Sequence, residues 1–224
     1  MKTIVISLGG SVIVPDKVDF VYLNRFKDII KKFSKKNKVV IVTGGGKTAR
    51  NYLKPIHAAK LPEKIASIVG IASTRLNARL VAGIFGITHT IPESLEEVVR
   101  ELKKHKLVVC GALGEGKNMT SDGNAAQVAS RIRADYFLNI TNVKGLYTKD
   151  PKLRGATLIP SISYDDFLRI INKIRYHAGQ HFVLDQAAAK LIKEFNIKVY
   201  IIGKDLKNLK HCLGGKSFEG TIIG

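Results

Sequence analysis

Short apolar runs alternate with longer amphipathic segments along this chain. Residues 3–8 and 39–42 are rich in β-branched side chains and carry no charge, which predicts two strands buried on both faces. Between them, residues 18–33 place apolar side chains at helical spacing, which predicts an amphipathic helix. Together the three segments predict a βαβ unit whose two strands are parallel.

The same alternation continues to the end of the chain. Ser94 and Glu97 form a capping-box pattern, which predicts a helix that reaches about residue 104. We predict further helices at 61–85, 123–133 and 186–195, another that starts at Ser163, and mostly helical structure over 49–86 with breaks at Pro55 and Pro62. We predict further strands at 106–111, 136–141, 198–202 and 221–223, and a short extended piece near Thr88. This pattern predicts an α/β fold with helices on both faces of a largely parallel sheet.

Glycine turns follow both strands of the βαβ unit, at residues 9–11 and 44–46, and Lys47 and Arg50 come next. Because parallel strands end at one edge of the sheet, we expect both turns at the edge where α/β folds hold ligands. Glycine lets the backbone approach an anion closely, and a helix start adds unpaired N–H groups and a positive dipole end. The pattern predicts a phosphate site, with a turn required only by chain geometry as the alternative.

A third glycine-rich loop, at residues 111–122, opens a predicted helix and is another candidate anion loop.

The sequence does not match two common nucleotide-binding motifs. Residues 46–48 read Gly-Lys-Thr, but Ile41 stands where a Walker A loop needs its further glycine. The glycines of the third loop are not spaced as GxGxxG, which disfavours a dinucleotide site.

Composition narrows the class of protein further. The 224 residues carry a formal net charge of +19, which favours nucleic acid, an anionic surface or phosphorylated small molecules as partners. Cys110 and Cys212 form no CxxC pair and the histidines are not clustered along the sequence, so no zinc site is predicted. No stretch approaches about 20 apolar residues and no signal peptide is visible, so we expect a cytoplasmic protein without a membrane span.

Seven motifs in order resemble the uridylate (UMP) kinases, in particular their archaeal branch, within the amino acid kinase superfamily. They are Leu8-Gly9-Gly10-Ser11; Gly44-Gly45-Gly46-Lys47 with Arg50; Gly70-Ile71; Thr74-Arg75-Leu76-Asn77-Ala78; Thr120-Ser121-Asp122; Thr141-Asn142-Val143 with Gly145, Tyr147, Asp150 and Pro151; and Asp185 with Ala188-Ala189-Lys190. The resemblance runs nearly from end to end of the chain.

The resemblance implies a three-layer α-β-α sandwich with a largely parallel central sheet, formed by residues 1–224 as one domain. Within it, an N-terminal acceptor lobe would span about 1–135 and a C-terminal ATP lobe about 136–224. The implied reaction moves the γ-phosphate of ATP to UMP and gives UDP in pyrimidine nucleotide biosynthesis, with Mg²⁺ accompanying ATP. The implied partners are ATP and UMP within a homohexamer. No membrane partner is expected, and the net charge of +19 leaves nucleic acid open as a partner.

The resemblance also implies roles for individual residues. Lys47 and Asp185 would be catalytic, and no residue is implied as a metal ligand. The implied ATP-binding residues are Gly10, Ser11, Gly45, Arg50, Thr141, Asn142, Tyr147 and Asp150. The implied UMP-binding residues are Gly44, Ser67, Gly111, Thr120, Ser121 and Asp122. Simpler structural roles remain open for three of them, since Asp185 fits a helix N-cap, Asp150 a turn before a proline and Tyr147 core packing.

Several positions depart from the family pattern. Ser7 stands where many superfamily members have a lysine, and Ser67 stands where the family has an aspartate for the ribose of UMP. Lys144 replaces the aspartate of an Asn-Val-Asp-Gly turn, and residues 112–119 differ from the loop of archaeal relatives. These departures keep two alternatives open: a kinase of the same fold with another small phosphorylated acceptor, and a catalytically weak regulator that binds nucleotide or nucleic acid.

Overall fold

A seven-stranded sheet forms the centre of the computed structural model, which describes residues 1–114, 120–173 and 183–224. The strands are β1 (Thr3–Leu8), β2 (Lys38–Thr43), β3 (Leu107–Cys110), β4 (Tyr136–Ile140), β5 (Ser161–Ile162), β6 (Val199–Ile202) and β7 (Thr221–Ile223). Their order across the sheet is β3-β2-β1-β4-β6-β7-β5. The first five in this order are parallel, while β7 runs antiparallel to β6 and parallel to β5.

Nine helices are described around the sheet. They are α1 (Gly10–Ile13), α2 (Phe20–Ser34), α3 (Gly46–Ala58), α4 (Glu63–Phe85), α5 (Leu95–Lys104), α6 (Ser121–Arg131), α7 (Tyr164–Lys173), α8 (Gln186–Glu194) and α9 (Leu206–Leu213). One group has α4 packed on β2 and β3, with α2 and α3 beside it. A second group has α6 packed on β1, β2 and β4, with α8 and then α7 beside it. Two helical layers around one largely parallel sheet confirm the predicted sandwich.

The central strands lie between these layers and are buried on both faces, as their uncharged sequences predict. Every residue of β4 is buried, and β1 and β2 are buried from their second residue onward. Parallel register between β1 and β2 confirms the predicted βαβ unit, with Leu8 opposite Thr43. Both glycine turns therefore leave the sheet at the same carboxyl-terminal edge.

The chain reverses its direction of travel across the sheet between β1 and β4. The path from β1 to β2 and β3 builds one side of the sheet, and the path from β3 through α6 starts the other side at β4. Gly9 lies at this switch point, where its N–H donates a 3.0 Å hydrogen bond to the carbonyl of Ile140. Open α/β sheets bind ligands at such points, outside the carboxyl ends of the strands.

Several predicted elements differ from the structure in detail. The predicted turn at 9–11 continues directly into α1, and α3 starts at Gly46 and runs through Pro55, where a break was predicted. Residues near Thr88 form no strand, whereas β5 and α9 were not predicted. The predicted helix at 123–133 starts two residues earlier, because Thr120 caps it.

Among the described helices, α4 is long and apolar enough by length and composition to cross a membrane. However, α4 packs against α2, α3, β2 and β3, so part of its apolar surface lies in the protein interior. Val81, Ala78 and Phe85 are buried there. Packing in the domain therefore accounts for one face of α4, while Ile65, Ile68 and Leu76 remain exposed on the other.

Candidate active site

A polar cleft of about 200 Å³ opens at the switch point of the sheet. It is lined by Gly9, Gly10, Ser11, Gly44, Gly45, Gly46, Arg50, Ser121, Asp122, Asn139, Thr141, Asn142, Val143 and Val183. The cleft thus gathers the two predicted glycine turns, the start of α6 and the end of β4, which are far apart in sequence.

The two glycine turns pack against each other backbone to backbone. A Cβ atom on Gly10 would overlap the backbone nitrogen of Gly46 and lie 2.7 Å from the carbonyl carbon of Gly44. Gly46 has a φ of +61°, which only glycine adopts without strain. Glycine is therefore required by the packing of the turns as well as by any approach of a phosphate.

Asn77, buried on α4, fixes the orientation of the second turn. Its side-chain amide donates to the carbonyls of Gly44 (2.7 Å) and Gly45 (3.1 Å). Because N–H and C=O point in opposite directions across a trans peptide, the N–H groups of Gly45 and Gly46 point away from α4. A side chain outside the cleft thus orients the donors that line it.

Ser7 and Asp122 meet at the floor of the cleft, which Asp122 lines. The Ser7 hydroxyl donates a 2.8 Å hydrogen bond to Oδ1 of Asp122. Burial raises the pKa of the Asp122 carboxyl to about 7; the bond from Ser7 opposes this rise and the nearby charge of Asp185 adds to it. A carboxyl that holds its proton near neutral pH avoids repelling an anion bound in the cleft.

Thr120 and Asp185 join the starts of two helices. Oγ1 of Thr120 accepts from the N–H of Gly123 (3.2 Å), which caps α6, and donates to Oδ2 of Asp185. Oδ1 of Asp185 accepts from the N–H of Ala188 (2.8 Å), which caps α8 as predicted. Asp185 therefore acts as an N-cap and also holds Thr120 next to the cleft.

Arg50 is the cation that lines the cleft among the described residues. Lys47, the predicted catalytic lysine, does not line it: its Nζ lies 3.7 Å from Oδ1 of Asp16, and its backbone N–H donates to the carbonyl of Val14. The side chains of Lys47 and Asp16 are 40% and 89% exposed, so their ion pair is weak. Lys47 can leave Asp16 at little energetic cost.

Polar residues at the end of β4 complete the cleft. Thr141 and Asn142 line it, and the hydroxyl of Thr141 lies 3.3 Å from Oδ1 of Asn142. Asn139, buried in β4, donates to the carbonyl of Val183, and both residues line the cleft. Asn139, Asn77 and Ser7 were not predicted as site residues; for Ser7 and Asn139 the available signal was a polar residue inside an otherwise apolar strand.

Besides Lys47, Thr120 and Asp185, four predicted site residues lie outside the cleft lining. Tyr147 pairs with Leu158 in a single β-bridge, and exposed Asp150 accepts from the N–H of Lys152 (2.9 Å). Gly111 is buried against α4, since a Cβ atom at Gly111 would lie 2.7 Å from the backbone nitrogen of Arg75. Ser67 is half-buried on α4, two helical turns before Thr74. Residues 115–119 of the predicted third loop lie outside the described residues.

The fold and the cleft place the chain in a known class of phosphotransferase. Residues 2–203 match the amino acid kinase family, and the chain belongs to that family.

The individual proteins that the chain is similar to are uridylate (UMP) kinases. The chain is 36% identical to the uridylate kinase of Thermoplasma volcanium, over 99% of this chain and 97% of that protein. The crystal structure of uridylate kinase from Archaeoglobus fulgidus covers 100% of both chains with a TM-score of 0.87 and 34% identity. The structure of UMP kinase from Ureaplasma parvum, at 24% identity and a TM-score of 0.82, shares the fold.

Proposed function

We propose that this protein transfers the γ-phosphate of ATP to UMP and releases ADP and UDP. The observation that carries the proposal is full-length similarity to uridylate kinases, 36% identity over 99% of the chain in one case. The cleft supports it, because two glycine turns and the start of α6 meet there around a polar space. Anionic groups bind such turns and helix starts through backbone N–H groups.

The chemistry of phosphoryl transfer suits this cleft. The reaction mainly requires that donor and acceptor phosphates are aligned and that charge on the transferring group is neutralised. The N–H groups of Gly45 and Gly46 and the guanidinium of Arg50 supply donors and a positive charge. No side-chain nucleophile is needed for direct transfer.

We place ATP and UMP on opposite sides of this cleft. The ATP phosphates lie along Gly10, Ser11, Gly45 and Arg50, and the nucleoside extends past Thr141 and Asn142. Tyr147 and Asp150 reach its base and ribose from the neighbouring segment. UMP lies toward Gly44 and the start of α6, at Thr120, Ser121 and Asp122, with Ser67 and Gly111 behind. The nucleoside of ATP thus lies on the proposed C-terminal lobe, 136–224, and UMP on the proposed acceptor lobe, 1–135, while the ATP phosphates reach across to the glycine turns of the acceptor lobe.

Lys47 and Asp185 act on the transition state in this proposal. Lys47 leaves its exposed partner Asp16 and turns toward the transferring phosphate, where a fixed cation stabilises developing charge. Asp185 holds the Thr120 hydroxyl and thereby orders the start of α6 beside the acceptor.

We propose Mg²⁺ as the cation that accompanies ATP. Mg²⁺ in kinases is held by one or two carboxylates together with substrate phosphates and water. The cleft fits this description when Asp122 is ionised, since its carboxylate then lies in the lining and Asp185 lies close enough to influence it. The charge of the ion would favour that ionised form over the protonated one. The ion would neutralise phosphate charge during transfer.

We also propose that the protein is a cytoplasmic homo-oligomer, in line with the hexamer implied by the resemblance. Support for self-association comes from an apolar surface on α3 and α4, where Tyr52, Ile65, Ile68 and Leu76 are exposed. Monomeric proteins rarely expose contiguous apolar surface of this kind. A molar mass from light scattering, compared between wild type and Leu76→Glu, tests the assembly.

Cys110 and Cys212 are buried free thiols, which supports the proposed location in a reducing compartment such as the cytoplasm.

The reaction itself is tested by incubating the purified protein with ATP, UMP and Mg²⁺ and separating the nucleotides by anion-exchange chromatography. We expect ADP and UDP in equal amounts, and neither product when the metal is chelated. ATP hydrolysis to ADP without UDP would contradict the proposed acceptor.

A further inference from the structure

His89, Glu101 and His105 come together at the edge of the sheet opposite the cleft. One candidate ligand atom from each residue lies within 4.8 Å of the others. Glu101 and His105 are four residues apart at the end of α5, so their side chains leave the same helix face. His89 joins them from the segment that follows α4.

The tautomer of His89 suits metal binding. Its Nδ1 lies 3.1 Å from the carbonyl oxygen of Thr90, and a carbonyl can only accept, so Nδ1 carries the proton. In the neutral ring, Nε2 is then left with its lone pair. Metal-binding histidines commonly donate their second ring N–H to a backbone carbonyl in this way.

Glu101 supplies negative charge to the cluster. Its Oε1 faces the cations Lys104 (3.3 Å) and Arg100 (3.8 Å), while Oε2 lies 3.6 Å from Nε2 of His105. The neighbouring cation of Lys104 favours the ionised form of Glu101, and the second carboxylate oxygen is directed at His105.

The imidazole rings of His89 and His105 are stacked, with their centroids 4.6 Å apart and an angle of 11° between their planes. Zinc bonds to nitrogen and oxygen of about 2.0–2.1 Å require ligand atoms roughly 3.3 Å from one another in a tetrahedron. Side-chain rotations closing the ligand atoms by about 1–1.5 Å reach this geometry. The side chain of His105 is 44% exposed, so an ion can enter from solvent and water can complete its coordination.

We propose that His89, Glu101 and His105 bind one divalent transition metal ion, with Zn²⁺ as the best fit. Imidazole and carboxylate ligands favour Zn²⁺, Co²⁺ and Ni²⁺ over Mg²⁺, which prefers oxygen ligands. The site is therefore chemically distinct from the one proposed for Mg²⁺ with ATP.

The bound ion stabilises the segment between α4 and α5. This segment is held at its other end by Glu93, whose carboxylate lies 2.6 Å from Nη1 of Arg75 and whose carbonyl accepts from the N–H of Gly114 (2.6 Å). A metal at His89 would hold the opposite end of this segment, next to the end of α4. Because the complete ligand set exists only in the folded chain, metal binding raises the melting temperature.

The test is titration of the metal-free protein with Co²⁺, without nucleotide or Mg²⁺. We expect one Co²⁺ per chain, visible absorption typical of four-coordinate cobalt, and displacement by Zn²⁺. His89→Ala and His105→Ala should each weaken binding at least tenfold and abolish the rise in melting temperature. His57→Ala, at an exposed histidine on α3, is the matched control and should bind as wild type.

Circular dichroism without metal establishes that each variant is folded, and Glu101→Gln serves as the test variant if a histidine variant is not. Glu101→Gln keeps the size of the side chain but removes the anionic ligand, so it should also weaken Co²⁺ binding. Wild-type binding in all folded variants, or no cobalt spectrum in wild type, would show that the cluster is only an ion pair between Glu101 and His105.

Discussion

The hydroxyl of Ser7 donates a 2.8 Å hydrogen bond to Asp122, which lies 115 residues later in the chain. Ser7 lies in β1 and Asp122 lies in the first turn of α6, so the bond joins the sheet to the helix at the floor of the cleft. It favours the ionised carboxylate, against the burial that raises the pKa of Asp122 to about 7. Two predictions about pH follow from this pair.

Asp122→Asn should flatten the pH dependence of stability. With a pKa near 7 when folded and an ordinary value of 3.8 when unfolded, Asp122 holds its proton in the native state while the unfolded chain releases it. Between about pH 4 and 7 this group therefore lowers the free energy of unfolding by about 1.4 kcal/mol per pH unit as pH rises. We expect urea denaturation at several pH values to show that, as pH rises over this range, the free energy of unfolding falls by about 2–4 kcal/mol less in Asp122→Asn than in wild type. Asp28→Asn, at the surface, is the control, and equal slopes in all three proteins would contradict the prediction.

Ser7→Ala should make the free energy of unfolding depend more strongly on pH, which is the opposite of the effect of Asp122→Asn. Without the hydroxyl, the ionised form of Asp122 loses its hydrogen bond, so the pKa of Asp122 rises further and the buried charge costs more at high pH. We expect a loss of about 1–3 kcal/mol in the free energy of unfolding at pH 8, and a smaller loss at pH 5. A loss that is the same at both pH values would mean that Ser7 contributes packing alone.

Asn77→Ala should weaken ATP binding by releasing the second glycine turn. The two carbonyls of Gly44 and Gly45 lose their buried donor, so the turn no longer holds its N–H groups toward the cleft. We expect an increase in KM for ATP of about tenfold and a loss of about 1–3 kcal/mol in the free energy of unfolding. Asn77→Asp, which cannot donate, should behave similarly, and Asn51→Ala on the exposed side of α3 should not. An unchanged KM for ATP in a folded Asn77→Ala protein would contradict this role.

Lys47→Ala should lower kcat by roughly a hundredfold, because a fixed cation at the transferring phosphate contributes on that order. The free energy of unfolding should change by less than about 1 kcal/mol, since the pair with Asp16 is exposed. Lys54→Ala, on the same helix, is the matched control. If Lys47→Ala turns over like wild type, the lysine only pairs with Asp16 and Arg50 supplies the positive charge.

The regular parts of this fold could be predicted because their signals are local. Uncharged β-branched runs specify β1 and β2, and the cap patterns of Ser94 and Asp185 specify the starts of α5 and α8. Parallel strands then bring the two glycine turns to one edge without further information. The two-residue strand β5 depends on its pairing with β7, so its sequence carries no sufficient local signal.

The remainder of the site depends on pairs of residues that only the folded chain brings together. The sequence shows Ser7 as a polar residue in an apolar strand, at a position where many superfamily members have a lysine, but its hydrogen bond to Asp122 depends on the fold. Asn77 reads as one polar residue in a long helix, and its two bonds to the glycine turn depend on how α4 packs. His89 and His105 are sixteen residues apart and meet through the path of the chain around α5.

The central claim is that UMP is the acceptor, and Ser67 makes it open to a direct test. Serine is shorter than the aspartate of the family and is neutral, so it should bind the ribose of UMP more weakly. Ser67→Asp should therefore lower KM for UMP by roughly ten- to a hundredfold. KM for ATP should stay nearly unchanged, because only acceptor binding is affected. Ser67→Asn, of similar size without the charge, is the control. Loss of all activity in a folded Ser67→Asp protein would contradict this placement of the acceptor.

The most direct measurement is kcat/KM of the wild-type protein for a panel of acceptors, by coupled ADP release with saturating ATP and Mg²⁺. The panel consists of UMP, CMP, dCMP and isopentenyl phosphate, which separates the base, the ribose and the phosphate as determinants of recognition. The account predicts the highest kcat/KM for UMP, with UDP as the product. Rejection of UMP together with rapid phosphorylation of isopentenyl phosphate, which has no ribose, would contradict it and leave only a kinase of the same fold.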